Sequence, residues 1–301
     1  MKVIAAILAG GSGSRIGGET PKQMLPLGGK PVLEHSIATF DAHPGIEGIV
    51  IVSRKDLLPA IRTLTAPYAK VRAVIPGGSD RTASSLAAVR AALSSLAATD
   101  NLAAVPASDL AAADNLAAIP ASGLAATDNL AAIPALGLAA TDNLAADDYV
   151  GLAADDKNSA QQIEGLADVC LLIHDAARPL VDAGVITRCL EALSEFSAVE
   201  PAVPLSDTII RIDDDGLLVD VPPRSTLRAV QTPQGFRFPV LAEAFRRHLE
   251  DHSGFRVTDD ISLVRHYLPG ISVKVVDGSP RNLKLTHPTD LPLLEALLST
   301  R

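Results

Sequence analysis

The sequence predicts an α/β protein with a Rossmann-like, mostly parallel sheet flanked by helices and carrying a projecting β-hairpin arm. Three observations support this. Residues 1–8 and 169–173 are continuous apolar runs, too short to cross a membrane, which is the pattern of strands buried on both faces. Short runs of this kind alternate with stretches of helical spacing, so repeated βα units are expected. Two of the strand ends open into glycine loops, Ala9-Gly-Gly-Ser-Gly-Ser-Arg15 and Pro76-Gly-Gly-Ser-Asp-Arg81, at the sheet edge where such folds bind ligands.

In the first loop, Gly10, Gly11 and Gly13 lack a Cβ, so several backbone N–H groups can turn toward one point and cradle phosphate oxygens. Arg15 and Lys22 add two cations. Gly17-Gly18-Glu19 stands where a Walker loop needs Gly-Lys-Ser/Thr, and Ile16 stands where the dinucleotide fingerprint needs a third glycine, so neither pattern fits.

Leu33, Ile37 and Phe40 share helical spacing over 31–40, followed by a strand at 46–52, a helix at 56–68, a strand at 71–75 and a helix at 81–96. The strand at 169–173 ends at His174-Asp-Ala-Ala-Arg-Pro179. Loops 9–22, 76–81 and 174–179 are therefore expected to converge on one crevice. Asp175 there either caps the next helix or supplies the hard carboxylate that Mg²⁺ on a nucleotide triphosphate requires; Arg178 and the phosphate loop favour the metal. His174 reads as a packed strand-end histidine and not a base.

Residues 198–205 read as a strand. Residues 207–212 and 217–221, joined by Asp213-Asp-Asp-Gly216, read as a hairpin arm. A strand at 271–276 and a closing helix at 288–298 follow. His248 and His252, four apart on an expected helix, have no third ligand and are not read as a zinc site.

Residues 96–165 break the pattern: Leu96-Ala-Ala-Thr-Asp-Asn-Leu recurs nearly unchanged from Leu110, Leu124 and Leu138, a period of 14. Nine Asp and one Glu against one Lys give this segment a net charge of −9, the whole formal charge of the chain. The other 231 residues balance at 25 basic and 25 acidic side chains, the size of one α/β domain. Pro106, Pro120 and Pro134 interrupt any long helix, leaving either a poorly packed excursion or short stacked helical turns.

The charge argues against a nucleic-acid partner, and no apolar run reaches the roughly 18 residues of a membrane span. A cytoplasmic protein is expected. Cys170 and Cys189 lack metal-ligand spacing and read as buried free thiols.

Five stretches agree in order and spacing with a known family: the loop of Ala9, Gly10, Gly11, Gly13 and Arg15 with Pro21-Lys22-Gln23; Gly77-Gly78 with Arg81 and Ser84; His174 to Pro179; Asp207-Thr208 with Arg224 and Thr232-Pro-Gln234; and Asn282-Leu-Lys284. Together they resemble the 2-C-methyl-D-erythritol 4-phosphate cytidylyltransferases. The resemblance spans residues 1–95 and 166–301 and implies transfer of CMP from CTP to methylerythritol phosphate with release of pyrophosphate.

It further implies that Arg15 and Lys22 stabilise charge on the α-phosphate while Ala9, Gly10, Gly11, Gly13, Gly77, Gly78, Arg81 and Ser84 hold CTP. Asp175 would hold Mg²⁺, and Asp175, Arg178, Thr208, Arg224, Thr232, Thr258 and Lys284 would hold the sugar phosphate. The arm, residues 205–231, would join a homodimer in which Arg224 acts across the interface. Many relatives carry an acidic residue where this chain has Arg281, so a second metal carboxylate is not assigned. The competing readings are a ribitol 5-phosphate cytidylyltransferase, disfavoured by Ala176-Ala-Arg-Pro, and a non-catalytic nucleotide-binding scaffold.

Overall fold

A computed structural model describes residues 1–11, 20–100, 166 and 168–300, with 97–100 by their backbone alone. The opening apolar run forms β1 (Lys2–Ala9), followed by the small hairpin β2 (Pro26–Leu27) and β3 (Lys30–Pro31). Then come α1 (Val32–Ala42), β4 (Gly48–Ser53), α2 (Leu58–Thr65), β5 (Val71–Pro76) and α3 (Arg81–Asp100). After the repeat segment the chain resumes with β6 (Val169–Asp175), α4 (Ala183–Leu193) and β7 (Ala198–Pro204).

The second apolar run pairs with the first, from Lys2 opposite Val169 to Leu8 opposite Asp175, and β4 lies parallel on the other edge of β1. Both opening strands therefore sit in the middle of the sheet, which is why neither alternates with polar residues. β5 adds a fourth parallel strand beside β4.

Side chains alternate across this sheet. Ile7, Phe40, Leu172, Val185 and Cys189 pack with α1, α2 and α4 on one face. Ile4, Leu171, Ile173, Phe236 and Phe245 pack on the other face with α3 and with α5 (Phe238–Glu250) and α6 (Asp260–Tyr267). Burial pushes the Cys170 thiol up to about 11 and the Cys189 thiol up to about 12, so both are inert protonated thiols, as expected.

Beyond β6 the chain departs from a purely parallel order. The arm strands β8 (Arg211–Ile212) and β9 (Leu218–Asp220) pair only with each other, and β10 (Arg228–Val230) and β11 (Gln234–Arg237) return to the main sheet. β11 is antiparallel to both β6 and β7, while β12 (Val273–Asp277) runs parallel along the opposite edge of β7. The helix α7 (Asp290–Leu298) closes the fold.

Several sequence expectations shift. β6 continues through His174 and Asp175, so these are strand residues rather than loop residues. α3 runs past 96 to Asp100, with Leu96 buried in the core, so the helix takes in the first residues of the repeat. The rest of the 96–165 segment lies outside the described residues. α5 ends at Glu250, leaving His252 beyond it, so the two histidines do not share a helix.

The sequence reads Thr232-Pro-Gln234 only as part of a site motif, whereas Gln234–Arg237 is an interior strand. Gly235 fits closely there: a Cβ would stand 3.0 Å from side-chain atoms of both Leu172 and Leu193.

Candidate active site

A cleft of about 350 Å³ lies at the carboxyl edge of β1, β5 and β6. Its lining includes Ala9, Gly10 and Gly11 from the first loop, Gly78, Asp80, Arg81 and Ser84 from the second, Asp175 from the third, and Lys22, Gln23 and Lys284. The three loops expected to converge therefore do so. Gly13 and Arg15 lie outside the described residues.

The second glycine loop is fixed by its own helix. Asp80 caps α3 by accepting from the Ala83 N–H at 2.8 Å, and the Ser84 hydroxyl accepts from the Gly78 N–H at 3.2 Å while donating to the Asp80 carbonyl at 2.8 Å. The loop lies so close to α3 that a Cβ on Gly78 would stand 2.3 Å from the Ala83 Cβ. Gly77 packs beneath the cleft against the Ser84 hydroxyl and does not line it.

Charges alternate across the cleft. Lys284 Nζ lies 2.6 Å from Asp175 Oδ2, Arg81 Nε lies 3.8 Å from Asp175 Oδ1, and Arg81 Nη1 donates to Asp260 Oδ2 at 2.8 Å. Burial raises the Asp175 pKa, but the Lys284 ammonium and the Arg81 guanidinium outweigh it and hold the carboxyl at about 2. Asp175 is thus a permanent anion, 14% exposed.

Beneath Asp175 a buried network fixes the strand end. His174 is fully buried, and burial holds its imidazole down at about 4. Its Nε2–H points at the Arg178 carbonyl, 3.2 Å away, so Nδ1 accepts from the Thr232 hydroxyl at 2.9 Å. Thr232 Oγ1 in turn accepts the Asp175 N–H at 3.1 Å. His174 is therefore a neutral structural histidine, in keeping with its expected role.

Two of the residues that the resemblance implies as ligands stand off the cleft lining. The Thr232 hydroxyl, expected to contact the sugar phosphate, is consumed inside the fold and supports Asp175 from below. Arg178, assigned to the same ligand, donates through Nη1 to the Asn282 carbonyl at 2.8 Å and through Nη2 to the Val230 carbonyl at 3.1 Å. It braces two loops and does not line the cleft.

Thr208 and Arg224 lie on the exposed arm, where Arg224 Nη1 donates to the Ser206 carbonyl at 2.6 Å, and Thr258 is exposed beside the N-terminus of α6. Within this one chain these three do not join the cleft lining.

Three contributors were not assigned from the sequence. Asp260, 1% exposed, anchors Arg81 across 179 residues of chain. Asn282, fully buried, donates through Nδ2 to the Thr232 carbonyl at 2.8 Å and so sets the stretch that carries Lys284. Gln23 donates to the Ala9 carbonyl at 2.8 Å. A buried Asp or Asn beside a motif is the only sequence signal, and it does not name a partner.

Arg281 turns its guanidinium onto the end of α7, bonding the Leu297 carbonyl and, at 3.1 Å, the Thr300 hydroxyl. Among the described residues no group of three His, Cys, Asp or Glu could hold a metal. The donor set instead fits a hard cation that takes one protein carboxylate and draws its other ligands from phosphate and water, the habit of Mg²⁺.

A mixed α/β sheet with a glycine-walled, cation-rich cleft at its carboxyl edge defines a nucleotidyltransferase of the nucleotide-diphospho-sugar transferase type. The family model "IspD: 2-C-methyl-D-erythritol 4-phosphate cytidylyltransferase" matches residues 3–160 and 155–300. A 2-C-methyl-D-erythritol 4-phosphate cytidylyltransferase of Thermobifida fusca is 35% identical over 99% of this chain and 94% of its own length. That of Symbiobacterium thermophilum is 34% identical over 98% and 92%. Among solved structures, the 4-diphosphocytidyl-2C-methyl-D-erythritol synthase of Anaerococcus prevotii superposes with a TM-score of 0.67 at 23% identity, covering 99% of this chain and 96% of that one.

The chain belongs to the 2-C-methyl-D-erythritol 4-phosphate cytidylyltransferase family and is a cytidylyltransferase of the non-mevalonate isoprenoid route. The ribitol alternative is not favoured: the matching family model and the relatives at 34–35% identity are methylerythritol cytidylyltransferases, whereas a bifunctional ribulose 5-phosphate reductase/CDP-ribitol pyrophosphorylase of Haemophilus influenzae is 29% identical over 100% of this chain and 49% of its own length.

Proposed function

We propose that this cleft joins CTP to 2-C-methyl-D-erythritol 4-phosphate as one catalytic domain, with the 96–165 repeat as an insert within it. A phosphate oxygen of the polyol attacks the α-phosphorus of CTP in line. The bond from that phosphorus to the bridging oxygen of the β-phosphate breaks, and pyrophosphate leaves with the bonding electrons. The nucleophile is already an anion, so no side chain has to be deprotonated; the protein must bring two anions together and offset the charge of the transition state.

The observation that carries this reading is the convergence of Lys22, Arg81 and Lys284 with the glycine loops in one cleft around a permanently ionised Asp175. Lys22, with Arg15 in the role the sequence assigns it, offsets charge on the α-phosphate. Loop 76–81 and Ser84 hold the nucleotide, and Lys284 meets the polyol phosphate. Asp175 would hold Mg²⁺, which would supply charge neutralisation of the triphosphate. Thr208 and Thr258 complete the polyol site, with Arg224 acting on it from a second subunit.

The arm supports the dimer. Ile210, Ile212, Leu217 and Leu218 are each more than half exposed, a patch of apolar side chains that one subunit alone leaves in water. Sedimentation should give a dimer, and a Leu217→Asp, Leu218→Asp double variant should give a monomer; an already monomeric parent would overturn the arrangement.

The proposed location is the cytoplasm; separately, among the described residues no helix is long and apolar enough to cross a membrane. The deciding assay is pyrophosphate release from CTP and Mg²⁺ with methylerythritol 4-phosphate or ribitol 5-phosphate as acceptor. Release with the former alone is expected. Release with ribitol phosphate alone would move the substrate, and silence with both would overturn the reading.

A further inference from the structure

Gln23 sits in the wall of the cleft at 2% exposure, one residue after Lys22. It is the only buried residue of the one-turn 3-10 helix Lys22–Met24, whose start has no side-chain cap. Its Nε2 donates to the carbonyl of Ala9, the last residue of β1, where the phosphate loop begins. Across that junction the Lys22 Cε lies 3.3 Å from where a Cβ on Gly11 would be, so lysine and loop are in contact.

The other end of the amide is unusual. Gln23 Oε1 is buried and has no hydrogen-bond partner among the described residues. A buried acceptor left unmet costs stability, and an apolar side chain of similar length would remove that cost. The Ala9 carbonyl would not be orphaned by such a change, because the Ser53 hydroxyl also donates to it at 3.1 Å. Among the described residues, fold stability therefore gives little reason for glutamine here, which directs attention to function.

We infer that Gln23 is a positioning residue: its amide ties the turn carrying Lys22 to the end of β1 and thereby holds the Lys22 ammonium over the Gly10–Gly11 backbone where the triphosphate is to bind. The inference rests on the proposed use of Lys22 in nucleotidyl transfer.

The test is a double-mutant cycle on the full chain with Gln23→Met and Lys22→Ala, read by pyrophosphate release, by calorimetric titration with MgCTP and by thermal melting. Gln23→Met should lower kcat by about thirtyfold while the melting temperature holds or rises, and it should cost less than threefold more when Lys22 is already alanine. Gln23→Glu, which keeps the length but sets a carboxylate against the Ala9 carbonyl, should lose activity likewise and guards against a repacking artefact of methionine.

A fall in melting temperature with kcat intact would make Gln23 merely structural and overturn the inference. Losses that multiply across the two positions would show that it acts independently of Lys22, which overturns it equally. A parent enzyme silent with both polyol phosphates would refute the proposed function instead. The titration then still decides the inference, which predicts that Gln23→Met weakens MgCTP binding in the parent but adds little when Lys22 is already alanine.

Discussion

Lys22→Ala should lower kcat by about two to three orders of magnitude while leaving the melting temperature within about 2 °C of the parent. Lys22 is only partly buried at the edge of the cleft, so the fold gains little from it. Its place against Gly11, on the loop expected to hold the triphosphate, gives its charge most value when negative charge gathers on the α-phosphate. The KM for CTP should rise far less than kcat falls, because an interaction that strengthens in the transition state appears mainly in turnover. Initial rates of pyrophosphate release over a range of CTP concentrations measure both. Retention of a tenth or more of the parent kcat would sink the role assigned to Lys22.

Asp175→Asn is expected to cost about a thousandfold in kcat and to abolish saturable dependence on Mg²⁺ within the parent's range. The substitution keeps the shape of the side chain and the N–H bond to Thr232, so the strand end should survive. It removes the one carboxylate that faces both Lys284 and Arg81.

The acid dependence of stability follows from the same pair. The folded pKa, about 2, lies below the ordinary value of 3.8, so the ion pairs stabilise the fold above about pH 4, and this contribution disappears as pH falls through about 2. Asp175→Asn should therefore melt below the parent at neutral pH, with the gap closing under strong acid. Mn²⁺ titration followed by electron paramagnetic resonance, with CTP present, reads the metal site without turnover. Tight Mn²⁺ binding retained by the variant would show that the metal does not depend on Asp175.

The cleft was legible because its main parts are local in sequence. Gly10 and Gly11 immediately follow an apolar run, Gly78 and Asp80 immediately precede a helix, and Asp175 closes the most apolar strand after the first. Glycine placement and hydrophobic continuity are short-range signals, and short-range signals survive translation into structure. Arg178 and Thr232 stand off the cleft lining for the opposite reason. Each stands in a recognisable motif, yet Arg178 Nη1 and Nη2 are engaged 104 and 52 residues away, and the Thr232 hydroxyl 57 and 58 residues away.

The sequence by itself determined the parallel strands β1, β4, β5 and β6, the helices that cover them, the two glycine loops and the family. The strands, helices and loops follow from periodicity within a dozen residues and from glycine's lack of a Cβ, and the family from the resemblance of five motifs in order. Only the tertiary structure decided that 234–237 enters the sheet antiparallel, that Asp260 holds Arg81, that Asn282 sets Lys284, and that Arg281 turns away onto α7. Each of those outcomes depends on which distant polar group satisfies a buried one, and no local pattern in the chain carries that information.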